Sequence, residues 1–163
     1  MKRAAALLSL ALFAAPDRNT LTAVERAMDR RMETLFDEPY LLLGTTRGVY
    51  LDGLGAVFTT EISLALGPNS PMLSPGANKE GRERLRQKRL ERLPALRASM
   101  QDSLVRAAEM LPSLPSTEKV VLGVTLFRRS LEDTTGIPNQ IVMQGAKRDL
   151  LEKNKAAIKV QEF

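Results

Sequence analysis

The chain has 163 residues, 44% of them hydrophobic, with 24 basic and 19 acidic residues giving a net charge of +5 and no Cys, His or Trp. Without cysteine there is no disulfide, thiolate nucleophile or cysteine-ligated metal. Without histidine there is no Ser-His-Asp triad, no imidazole base and no ordinary histidine-ligated zinc. Any catalysis must rest on Asp, Glu, Lys, Tyr, Ser, Thr or Arg, and no cofactor is expected.

Met1-Lys2-Arg3 is followed by Ala4–Ala15, a run with no charge and only Ser9 polar, ended by Pro16 and Asp17. A basic head, a short apolar run and small residues at its end read as a secretory signal peptide over residues 1–15. The run is too short for a bilayer, which needs roughly 20 apolar residues. Cutting after Ala14 or Ala15 places Leu12 or Phe13 where a small residue is preferred. Ser9-Leu10-Ala11 fits that rule better but truncates the run. The alternative is an N-terminal helix packed on the core. The signal reading implies a periplasmic or secreted bacterial protein with no transmembrane span after cleavage. Residues 16–163 then suit one domain, of a size that buries roughly 68–70% of its unfolded surface.

Asn19–Phe36 reads as a helix, because Leu21, Val24, Met28, Met32 and Leu35 recur at three- and four-residue steps. Thr22 and Glu25 have capping-box spacing, with Asn19 and Thr20 as alternative caps. Met28 and Met32 lie on the stripe and belong to the core rather than to a soft metal. Pro39 closes the segment. Leu41–Leu51 and Ala56–Leu66 form an antiparallel hairpin across the turn Asp52-Gly53-Leu54-Gly55. In the second strand Phe58, Thr60, Ile62, Leu64 and Leu66 face one way, and Thr59, Glu61 and Ser63 the other. Gly44 and Gly48 mark a bulge or a close approach in the first strand. Residues 67–78, with Pro68, Pro71, Pro75 and Gly76, form a mobile loop.

Lys79–Leu111 is helical, with Leu93, Leu96, Met100, Leu104, Ala107 and Leu111 forming a stripe in its later part. Its earlier part has no clean face. Pro94 kinks the helix or opens a second one. Lys119–Phe127 is apolar on both sides and therefore a central strand. Ser130–Pro138 is a turn, Gln140–Gln144 a strand, Ala146–Lys155 a short helix and Ala157–Phe163 a terminal strand. The fold class is α+β, a largely antiparallel sheet of about five strands with helices packed on one face.

The basicity is local. Lys79–Arg97 holds eight basic residues against Glu80, Glu83 and Glu91, and the remainder of the chain is neutral. Arg82, Arg84, Arg86, Lys88, Arg89 and Arg92 are the candidate anion-binding set, for an anionic surface or nucleic acid. The alternative is a solvated helix laced by pairs such as Glu80–Arg84 and Glu83–Arg86. There is no aromatic interleaving for base stacking. Glu132, Asp133 and Thr135 are a candidate oxygen-ligand set for a metal such as Ca²⁺, in a turn whose spacing matches no EF-hand. Those residue types also suit a plain turn. Tyr50, Asp52 and Glu61 are the remaining candidates for acid–base work. Gly53-Leu54-Gly55 lacks a third glycine and precedes a strand, so it is no dinucleotide fingerprint.

These features point to an exported, small, non-catalytic domain with a binding or envelope-supporting role. Its partner is an unknown protein or envelope component. Binding of an anionic surface or nucleic acid through residues 79–97 is one alternative. An Asp/Glu-based or metal-assisted hydrolase is another.

Overall fold

The computed structural model describes residues 15–65, 79–128 and 132–163. The expected signal peptide, but for Ala15, and the expected loop at 67–78 lie outside the described residues. Helix α1 spans Arg18–Glu33 and buries Leu21, Val24, Met28 and Met32, the stripe its spacing predicts. Its cap is Asp17, ahead of every expected candidate. The Asp17 carboxylate accepts from Thr20 N at 2.8 Å, satisfying an amide that the helix leaves bare. The helix stops short of Phe36 because Tyr40 caps it. The Tyr40 hydroxyl donates to Met32 O and accepts from Leu35 N, while its ring meets Phe36 edge-on at 5.1 Å.

The expected first hairpin strand is divided. β1 (Leu41–Leu42) and β2 (Arg47–Leu51) both run antiparallel to β3 (Gly55–Ser63), along the same edge. Between them the chain leaves the ladder. Gly44 has φ +149°, and α1 supplies the missing acceptors: Asp29 takes Thr46 N at 2.7 Å and Glu25 takes Gly48 N at 2.7 Å. The bulge at Gly44 and the close approach at Gly48 are therefore both present. A Cβ on Gly48 would lie 2.5 Å from the Phe58 ring.

Helix α2 (Lys79–Met110) is continuous through Pro94. It crosses from β3 to β4 (Lys119–Leu126), which pair in parallel. β5 (Gln140–Ala146) is antiparallel to β4. α3 (Lys147–Leu151) and a 3₁₀ turn at Lys155–Ala157 lead to β6 (Lys159–Glu162), antiparallel to β5. The sheet has six strands rather than about five, in the order β1–β3–β4–β5–β6 with β2 also on β3. It is mixed, because the α2 crossover brings β4 in parallel to β3, and the extra strand comes from the division at Gly44.

The register explains the core. Ala56, Phe58, Thr60 and Ile62 of β3 stand beside Val120, Leu122, Val124 and Leu126 of β4, and Leu122 and Val124 beside Met143 and Ile141 of β5. All are buried on one face, packed with α1, α2 and Leu150 of α3. Fully burying a side chain such as Leu or Met is worth about 1.5–3 kcal/mol. On the opposite face lie Val57, Thr59 and Glu61, Val121 and Thr125, and Val142 and Gln144, exposed or half-buried. Val49 and Leu51 of β2 extend that face and are exposed. β4 is the central strand its sequence suggests, but among the described residues helices cover only one side of it.

Candidate functional site

The basic half of α2 turns inward. Leu85, Arg89 and Arg92 follow one another at four- and three-residue steps, and all are buried. Arg92 reaches across to the end of the α1–β1 connection. Its Nη1 donates to Leu64 O at 2.8 Å and Pro39 O at 3.0 Å, and its Nη2 to the Glu38 carbonyl and carboxylate, both at 3.2 Å. The guanidinium carbon sits 4.7 Å from the centre of the Phe36 ring, a cation–π contact. Lys88 Nζ meets the same Glu38 carboxylate at 2.6 Å. Those two cations hold Glu38 below the usual carboxylate range, Lys88 contributing most.

Arg89 and Glu132 form an ion pair whose side chains are 4% and 9% exposed. Arg89 donates through Nη1 alone. Its Nε and Nη2, and the second oxygen of Glu132, are buried without a hydrogen-bond partner among the described residues. Each such group costs about 1–3 kcal/mol, and more where charged. A turn further out, Arg86 donates from Nε to Thr135 O at 3.0 Å and pairs with Glu83 at 3.0 Å and Asp133 at 3.7 Å. The Asp133 carboxylate accepts from Thr135 N at 2.9 Å, and this bond is the main reason its pKa is lowered. Beyond Pro94, Arg97 grips Glu162 of β6 through Nε and Nη2 at 2.6 and 2.9 Å. That pair raises the Arg97 pKa and lowers that of Glu162.

The two candidate sets of the sequence are thus one cluster. Arg86 and Arg89 of the anion-binding set hold Asp133, Thr135 and Glu132 of the metal set. Lys88 and Arg92 are held by Glu38, and Arg82 and Arg84 lie exposed on the outer side of α2. Glu132 faces Arg89, Asp133 faces Arg86 and a backbone amide, and Thr135 gives its carbonyl to Arg86. No group of three or more Asp, Glu, His or Cys able to hold a metal converges among the described residues. Sequence reasoning missed Glu38 and Glu162. Both are far from α2 along the chain, and no local spacing marks either one.

A second polar group gathers at the far end of the sheet. The Tyr50 hydroxyl lies 3.1 Å from Glu118 and 3.4 Å from Asp52. Partial burial, then the two carboxylates, push its pKa up. Glu61 does not join them, since it pairs with Thr125 toward the other end of β3 and on the other face. Nearby, Lys147 is buried and donates to Pro112 O at 3.0 Å and Leu114 O at 2.7 Å, closing the chain that leaves α2. Desolvation lowers its pKa. Between α1 and α2, Val24, Met28, Ser103 and Ala107 line a cavity of about 20 Å³, room for one water.

Comparisons of the chain with family models, curated proteins and solved structures find no match. Among the described residues no helix is long and apolar enough to cross a membrane.

Proposed function

We propose that the chain is an exported, non-catalytic α+β domain that binds a protein partner of the cell envelope on the helix-free face of its sheet. The observation that carries this reading is the asymmetry of that sheet. One face is packed by α1, α2 and α3, while the other presents Val49 and Leu51 exposed, with Val57, Val121 and Val142 half-buried between polar neighbours. An apolar strip framed by Thr59, Thr125, Gln140 and Gln144 suits an interface with a dry centre and a polar rim. Export rests on the basic, apolar and small-residue order of Met1–Ala15.

Two measurements on one expression strain test both parts. The intact mass of the product in a bacterial host is expected to show a periplasmic protein lacking roughly the first 11–15 residues. A photo-crosslinking residue at Val49 or Val121 is expected to give adducts that the same residue at Arg26 or Arg106, on the helical side, does not. A full-length cytoplasmic product would overturn export. Adducts from the helical side alone would overturn the assignment of the face.

A further inference from the structure

We propose that the helix-free face of the sheet docks a short acidic segment of the partner protein, one whose carboxylates flank aliphatic residues. This rests on the reading of that face as a binding surface and adds the chemistry of what it takes. The register puts Val49, Val57 and Val121 side by side on β2, β3 and β4, an apolar row across the strands. Arg47, Lys119 and Lys159 stand on the same face, opposite Thr59, Gly55 and Gln144. All three are exposed, and the side chain of none of them has an ion-pair or hydrogen-bond partner among the described residues. Glu61 is the only carboxylate that the described strands place there, at the end of β3 away from Lys119. The face therefore carries unspent positive charge. Arg86, Lys88, Arg89, Arg92 and Arg97 of α2 already meet carboxylates of the chain itself.

The register also sets the spacing of the partner's acids. Strands lie about 4.8 Å apart and rise about 3.3 Å per residue, which separates Lys119 from Lys159 by roughly 12 Å and from Arg47 by roughly 16 Å, with Val121 among the three. Carboxylates that meet these cations stand about four or five residues apart on an extended segment, and the residues between them lie on the valine row. Exposed charges around an apolar centre select the partner by its sign and fix its register. Gly123 is an independent sign of a partner. It sits in the middle of β4 on this face, where glycine weakens a strand. A Cβ on Gly48 or Gly55 would collide at 2.5 or 1.9 Å, but one on Gly123 would meet nothing nearer than 3.7 Å, and its φ is not positive. Neither the packing nor the backbone of this chain requires glycine there. Its effect is a level centre, with no side chain standing off the sheet between Thr59 and Val142. Val57 and Val121 are half-buried and do not stand out to enter a bilayer, and no aromatic ring stands in the row for a base to stack on.

The test selects short random peptides on the immobilised full chain, then crosslinks the selected peptides to a photoreactive residue placed at Val121 or at Arg106. The selected peptides are expected to carry Asp or Glu about four or five residues apart with aliphatic residues between them, and to crosslink at Val121 and not at Arg106. Their affinity is expected to weaken with salt and to fall at least roughly fivefold when Arg47→Glu, Lys119→Glu and Lys159→Glu are combined, because each lost attraction becomes a repulsion. Arg26→Glu, Arg30→Glu and Arg106→Glu combined make the same change of charge on the helical side and leave the affinity as it was. All six positions are exposed, and thermal unfolding checks that both variants fold. Peptides that crosslink at Val121 without an excess of acidic residues, or that keep their affinity in the face variant, overturn the proposal and leave the reading of the face standing. Crosslinking of Val121 to phosphatidylglycerol vesicles in place of peptides assigns the face to a lipid surface and likewise overturns the proposal. Crosslinks at Arg106 alone, or no selected peptide, overturn both.

Discussion

The two halves of α2 bury themselves by different means. After Pro94 the helix lays Leu96, Met100, Leu104 and Ala107 onto the sheet, an apolar stripe with a helical period. Before Pro94 the buried positions include Leu85, which packs with Ala65, and two arginines, Arg89 and Arg92, which meet carboxylate and carbonyl oxygen. Four cations before Pro94, Arg86, Lys88, Arg89 and Arg92, and Arg97 just beyond it face the five carboxylates Glu83, Asp133, Glu38, Glu132 and Glu162. Four of those carboxylates come from other parts of the chain. A run of charge on a helix thus has a third fate besides lying solvated or waiting for a ligand. It can clasp segments that have no apolar residues to spare.

Apolar and ionic burial respond differently to substitution. Of Leu104→Ala, Arg92→Met and Arg97→Gln, the first is expected to lose most. Leu104→Ala leaves a cavity at a fully buried position and should cost about 2–5 kcal/mol in urea unfolding. Arg92→Met comes next. It keeps the length of the side chain but orphans Leu64 O and the carbonyls of Glu38 and Pro39, and should cost about 1–3 kcal/mol. Arg97→Gln comes last. Its pair with Glu162 is well formed, yet the two side chains are 35% and 33% exposed, and solvent screening keeps the loss below about 1 kcal/mol. A loss at Arg97 as large as at Leu104 would erase the distinction between apolar and ionic burial.

Acid sharpens the same contrast. The folded protein holds Glu38, Asp133 and Glu162 below their ordinary pKa values, so there it binds fewer protons than the unfolded chain. Their contribution is therefore complete above the ordinary carboxylate range and is lost as pH falls through the lowered values. The unfolding midpoint is expected to stay level from neutrality to about pH 5 and to fall below about pH 4. Glu162→Gln should remove part of that fall and leave the loss caused by Leu104→Ala unchanged. A midpoint level down to strong acid would contradict the clasp.

What was legible in the sequence was whatever repeats locally. The α1 stripe, the alternation of β3, the central place of β4 and the stripe after Pro94 all follow from periods that neighbouring residues set. The division of the first strand was half legible, since Gly44 and Gly48 marked the place but not Asp29 and Glu25 as the acceptors that make it stable. The parallel pairing of β3 with β4 depends on where α2 returns the chain, which no local pattern records. Pro94 misled for a related reason. Its missing hydrogen bond argues for a break, yet Arg92, Leu93 and Leu96 are buried on both sides of it and keep one helix. At the cluster, residue types picked out Arg86, Arg89, Glu132 and Asp133 but assigned them to two separate ligands. Opposite charges distant in sequence find one another only in the fold.

The most direct measurement is a double-mutant cycle on urea unfolding of Arg89→Met, Glu132→Leu and the two together. Either change alone strands a buried charge and is expected to cost about 3–5 kcal/mol, while the pair of apolar residues should restore most of that loss. Single variants within about 0.5 kcal/mol of the parent, with no coupling between them, would mean that these side chains stand in water and that the basic half of α2 clasps nothing.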